Sequence, residues 1–124
     1  MNVKIDTKEK FHVITPQESV LSVNMTDELS RLLLSHLEKQ VKNVILNLKN
    51  VAELSTETAD LLVQTQQNFY EQGVSFVICE MQPAVEQWLD DQEQLELLNA
   101  TPTESEAWDI VQMEEIEREL LGDE

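Results

Sequence analysis

Apolar and polar residues alternate along the first stretch of the chain. Val3-Lys4-Ile5-Asp6 and Phe11-His12-Val13 put apolar side chains at every second position, the period of a half-exposed strand, with residues 7–10 as the turn. Pro16-Gln17-Glu18-Ser19 interrupts the second strand, since Pro16 has no N–H for a ladder and must sit at an edge, a bulge or a loop. Val20, Leu21 and Val23 form a short extended piece. The period then becomes helical. Leu29, Leu32, Leu33, His36 and Leu37 recur on one face and predict a helix from Thr26 to Gln40, capped by Asn24 or Thr26, with Asp27 and Glu28 at its positive end. Residues 43–48 and 74–79 are apolar, largely β-branched runs, the mark of central strands buried on both faces. Between them, Ala59, Leu62, Val63, Phe69 and Tyr70 mark the core side of a helix over 56–72, which Gly73 closes.

Pro83 suits the first position of a short third helix whose apolar side is Ala84, Val85, Trp88 and Leu89. Leu95-Glu96-Leu97-Leu98 reads as a short strand or an apolar connection. A last helix starts near Thr103, where Thr103 and Glu106 have capping-box spacing. Strands separated by helices predict an α/β layer fold. In the last helix Ala107, Ile110 and Val111 share one face, whereas Met113, Ile116 and Leu120 are turned well away from it. Residues 1–112 are therefore expected to form the domain, and 113–124 an acidic helical extension. Residues 113–121 are expected to pack outside the main core or, as a homodimer, against a second copy.

The charge is unevenly placed. Of a net −17, residues 1–50 contribute almost nothing, with seven Lys/Arg against six Asp/Glu. Residues 51–124 hold nineteen Asp/Glu and one cation, Arg118. Such a surface repels a phosphate backbone or an anionic membrane, so no nucleic-acid partner and no direct membrane insertion are expected. It keeps the chain dispersed, and it also favours a basic partner surface. The single Cys79, the absence of a long apolar run and a polar start at residues 1–6 predict a reducing, cytoplasmic setting. Two glycines form no phosphate loop, and His12 and His36 have no metal-ligand spacing. Cys79 lies within a predicted central strand and reads as a buried small hydrophobe. No catalytic constellation, cofactor or metal is expected.

Three stretches, in this order and spacing, resemble the STAS family, named for sulfate transporters and anti-sigma factor antagonists. They are residues 44–51, residues 73–79 followed by Gln82-Pro83-Ala84-Val85, and residues 101–107 leading into the last helix. The tail over 113–120 is similar to an extension found in small stand-alone bacterial members. The resemblance implies a mixed sheet of four or five strands with helices mainly on one face. It also implies a non-catalytic module of transcription regulation, whose partner is an anti-sigma factor, often a serine kinase. That kinase phosphorylates a Ser at the start of the second helix, within Asp-Ser-Ser-Gly. Here the matching positions are Ser55, Thr56, Glu57 and Thr58, so Thr56 is the phosphoacceptor equivalent. Ser55 replaces the Asp, Thr58 replaces the Gly with a side chain where the family keeps a flat surface, and Glu57 and Asp60 would repel a phosphate. Thr56 is thus expected to be a poor acceptor, with Ser55 or Thr56 acting as the helix N-cap. Partner binding is expected at Glu53, Ser55, Thr56, Glu57, Thr58 and Asp60. The alternative is a structural subunit of a membrane transporter assembly.

Overall fold

The buried runs become strands with side chains on alternate faces. In the computed structural model, which describes residues 1–122, the strands are β1 (Val3–Thr7), β2 (Phe11–Pro16), β3 (Val20–Leu21), β4 (Asn43–Asn47), β5 (Glu53–Leu54), β6 (Phe76–Cys79) and β7 (Ala100–Thr101). The helices among these residues are α1 (Thr26–Ser35), α2 (Thr56–Glu71), α3 (Pro83–Asp91) and α4 (Glu104–Leu121). One sheet has the order β1-β2-β4-β6-β7, and β3 and β5 form a separate two-stranded pair. β1 is antiparallel to β2, and every other pairing is parallel.

On one face Ile14, Val44, Leu46, Phe76 and Ile78 meet Leu29 and Leu33 of α1, Leu62 and Phe69 of α2, and Val85 and Leu89 of α3. On the other, Phe11, Val13, Ile45, Val77 and Cys79 meet Ala107 and Val111 of α4. Three helices thus cover one side and α4 alone covers the other. A sheet so enclosed needs apolar residues on both faces, which is why β4 and β6 lack polar alternation. Trp108 of α4 stacks edge-on to Phe11, at a centroid distance of 5.2 Å.

Several elements depart from expectation. Pro16 pairs with Val3 as the last residue of β2, beyond the Phe11–Ile14 stretch that β4 joins, so its missing N–H costs no ladder bond there. The first helix is α-helical to Ser35, then tightens to a 3₁₀ turn over His36–Glu38. Leu95–Leu97 is also a 3₁₀ turn, and the strand is the pair Ala100–Thr101 that follows. Tyr70 is 76% exposed: the buried arc of α2 centres on Leu62, Thr65 and Phe69, and Tyr70 lies about 100° round from Phe69. Thr103 accepts from Glu106 N, but the Glu106 carboxylate accepts from the Thr103 hydroxyl rather than from its N–H. Gly73 closes α2 in the left-handed region, at φ 69°.

α4 is one continuous helix through residues 112 and 113. Beyond Val111 it turns polar groups to the sheet. Glu114 accepts from Ser75 Oγ at 2.6 Å and from Asn99 Nδ2 at 3.0 Å, and Glu115 accepts from Asn43 Nδ2 at 2.7 Å. Met113, Ile116 and Leu120 are 58%, 56% and 75% exposed. Met113, Ile116 and Leu120 thus form a second, largely exposed apolar face, because the acids occupy the inward one; among the described residues Ile116 borders a groove with Phe11 and Trp108.

The fold also joins two histidines that spacing left apart. The His12 and His36 rings meet edge-on at 4.7 Å. His36 Nδ1–H donates to Leu32 O at 2.9 Å, and His36 Nε2 accepts from Lys39 Nζ at 3.2 Å. His12 Nε2–H donates to Val41 O at 3.0 Å.

Candidate docking site

The short β3–β5 pair fixes where α2 begins. Ser55 N–H donates to Leu21 O at 2.9 Å, carrying the chain from β5 directly into the helix. Ser55 then has extended backbone and is the N-cap, its Oγ accepting from Thr58 N–H at 3.0 Å. That settles the two capping options in favour of Ser55. Thr58 faces inward, 1% exposed, and its hydroxyl donates to Leu21 O at 3.2 Å. The reading of Thr58 as a bulge on a flat surface is therefore corrected: its side chain locks the turn from beneath. A buried hydroxyl needs such a partner, and Leu21 O supplies it.

With Ser55 and Thr58 engaged, Glu53, Thr56 and Glu57 stand exposed at the mouth of the turn. The N–H groups of Thr56 and Glu57, in the first helical turn, have no intrahelical acceptor. Asp60, one turn on, is exposed and accepts from Gln94 Nε2 at 2.8 Å, tying α2 to the loop after α3.

A feature that sequence reasoning missed lies beside this turn. Ala52, Glu53, Leu54, Ala84, Val85 and Trp88 line an open groove of about 400 Å³ between β5 and the start of α3. Gln82, just before α3, donates to Lys49 O at 3.0 Å and holds the two loops together. The sequence carried one sign of it, a Trp beside an Ala on the apolar side of a short helix. The turn and the groove form one surface at the C-terminal ends of the parallel strands, where open α/β sheets present their binding sites. It offers acid side chains, a hydroxyl and an apolar recess.

Burial, with Glu104 and Glu80 nearby, pushes the Cys79 thiol up to about 12, so it stays protonated at neutral pH. Among the described residues, no group of three or more His, Cys, Asp or Glu is placed to hold a metal ion. No helix among them is long and apolar enough to cross a membrane.

Comparison with solved structures places this architecture. A candidate anti-sigma factor antagonist from Thermotoga maritima superposes with a TM-score of 0.80 at 16% identity, over 89% of this chain and 94% of that one. The anti-sigma factor antagonist SpoIIAA, in its unphosphorylated form, gives a TM-score of 0.71 at 13% identity, over 90% and 96%. The murine anion transporter Slc26a9 gives 0.70 at 12% identity, over 84% of this chain but 18% of that one. No curated protein sequence matches the chain. The STAS domain family model matches residues 2–107. With that match over most of its length, and a fold shared with anti-sigma factor antagonists, the chain belongs to the STAS domain family.

Proposed function

We propose that the chain is a non-catalytic regulatory module that docks an anti-sigma factor or serine-kinase-type partner through residues 53–60 and the adjoining groove. The observation that carries this is the division of labour in the turn. Ser55 and Thr58 build it from within, which leaves Glu53, Thr56 and Glu57 exposed beside an apolar recess large enough for a partner side chain. Interfaces gain affinity where such a recess is filled and its polar rim is paired.

Thr56, the first residue of α2, takes in this reading the place of the family's phosphorylated Ser, on the resemblance of residues 55–58 to its switch. Its free N–H neighbourhood would favour a phosphate, but Glu53 and Glu57 on the same exposed mouth oppose it. We read the module as one that binds with Glu57 as a fixed charge and is weakly phosphorylated at Thr56. Its setting in this reading is cytoplasmic. A second reading, a structural subunit beside a membrane transporter, draws on the likeness to Slc26a9, which is one of fold.

Affinity capture from the native cell separates the two: an ATPase-fold kinase supports docking, and transporter subunits support the second reading. With the partner in hand, Thr56→Arg with Glu57→Arg is expected to weaken binding about tenfold or more. Unchanged affinity in that double variant would remove residues 53–60 from the interface.

A further inference from the structure

The outer face of α4 is unpartnered and has a regular pattern. Met113, Ile116 and Leu120 are spaced by three and then four residues, the a–d–a seam of a helix that pairs with another helix. All three are more than half exposed. The positions flanking such a seam are Glu117 and Glu119, both exposed. Arg118, the one cation after residue 50, is turned inward, 3.8 Å from Glu115 and donating to Asn43 Oδ1 at 3.4 Å. The flanks of the seam therefore carry a single sign of charge. Ile116 also borders a groove of about 410 Å³ between α4 and the β1–β2 turn, lined by Phe11 and Trp108. Glu115 and Glu119 stand on its α4 side, and Lys8, Glu9 and Lys10 on the other.

We propose that this face docks a cationic amphipathic helix of another protein, with apolar residues at a–d–a spacing and Lys or Arg beside them on the α4 side. A second copy of this chain fits poorly. It would bring Glu117 and Glu119 against their own kind, which opposes pairing at these positions. Three side chains also fall far short of the roughly 800 Å² per partner of a stable interface, so the occupant needs the charge term as well. An anionic membrane is repelled by the same acids. The face lies at the starts of β4 and β6, where Glu115 and Glu114 bond Asn43 and Ser75, whereas the 53–60 turn lies at the opposite ends of the strands, so both surfaces can be occupied together.

The test uses the full chain and a labelled synthetic helix about three heptads long, with Leu or Ile at a and d and Lys at e and g. Its control is a peptide of the same composition in scrambled order. Fluorescence anisotropy is expected to show the patterned peptide binding about tenfold or more tightly than the control. Ile116→Ser with Leu120→Ser should lower that affinity by about tenfold while melting within about 2 °C of the parent, as both side chains are exposed. Thr56→Arg should leave it unchanged, which separates this surface from the docking turn. Absent binding, equal binding of the two peptides, or unchanged binding in the double variant overturns the proposal. So does self-association of the parent chain that the double variant abolishes, which would assign the face to a second copy.

Discussion

Replacing Ser55 with Ala tests the turn at its base. The substitution removes the oxygen that accepts from Thr58 N–H at 3.0 Å and meets the Thr58 hydroxyl at 2.8 Å. Losing an N-cap of this kind costs about 1 kcal/mol, within a range of roughly 0.5–2. The Thr58 hydroxyl keeps its acceptor at Leu21 O, so the donor left without a partner is the Thr58 N–H, the loss that the capping range already counts. Unfolding entropy of about 2.1 cal/mol/K per residue converts 1 kcal/mol into roughly 4 °C for a chain of 124 residues. Ser55→Asp, with another good capping oxygen and a charge suited to the helix start, should melt within about 1 °C of the parent. Thr56→Ala, on an exposed residue next door, should cost less than about 0.5 kcal/mol. Calorimetry on the three variants reads this order directly. If Thr56→Ala lowers the melting temperature more than Ser55→Ala does, Thr56 is the structural residue, and the division between builder and exposed acceptor fails. That order also decides whether binding data on Thr56 variants report the interface or a damaged turn.

Two further outcomes follow from buried polar groups. His36 is held neutral below its ordinary value, because burial penalises the imidazolium, and Lys39 and His12 add like charge, against a raising effect of the Leu32 carbonyl. The unfolded chain therefore binds the proton more readily, and the stability His36 contributes is present above about pH 6.5 and lost as pH falls below it. Urea midpoints taken from about pH 7.5 to 5.5 should fall, less steeply in His36→Gln; equal slopes would refute the assignment. Glu114→Ala leaves Ser75 Oγ and Asn99 Nδ2 without their acceptor and should cost about 1–3 kcal/mol, roughly 4–12 °C, whereas Met113→Ala on the same helix should cost under about 0.5 kcal/mol. The reverse ranking in thermal melts would show that α4 is held by its apolar residues.

Much of the architecture is legible because the signals are long. Residues 43–48 and 74–79 announce central strands, and Ser55 with Gly73 brackets a helix at the right length. What escapes is short or depends on distant residues. β7 spans two residues, too few to show a period, while the apolar Leu95–Leu98 run that resembles a strand is a 3₁₀ turn ending in the buried Leu98. Thr58 has the composition of a surface capping residue. Its inward turn depends on Leu21 O, 37 residues away, which only the β3–β5 pairing brings close. The groove beside it joins Ala52 and Leu54 to Ala84 and Trp88, whose approach follows from packing β5 against α3.

The second half of α4 shows how a local pattern can be reversed by what lies beneath it. Its acids read as a solvated face, and its Met, Ile and Leu as a second apolar face turned away from the core side of the first half. The sheet beneath presents Asn43 at the start of β4 and Ser75 just before β6, both buried and polar. Buried donors must find acceptors, and leaving one without a partner costs more than leaving a Met in water. Asn43 Nδ2 reaches both Lys10 O and Glu115, and Ser75 Oγ reaches Glu114, so the helix settles with its carboxylates inward. At about 100° per residue, holding 111, 114 and 118 against the sheet sends 113, 116 and 120 outward. The exposed stripe is thus a geometric consequence of polar anchoring. Beyond Val111 the helix meets the sheet through these carboxylates, and its Met, Ile and Leu stay on the outer face.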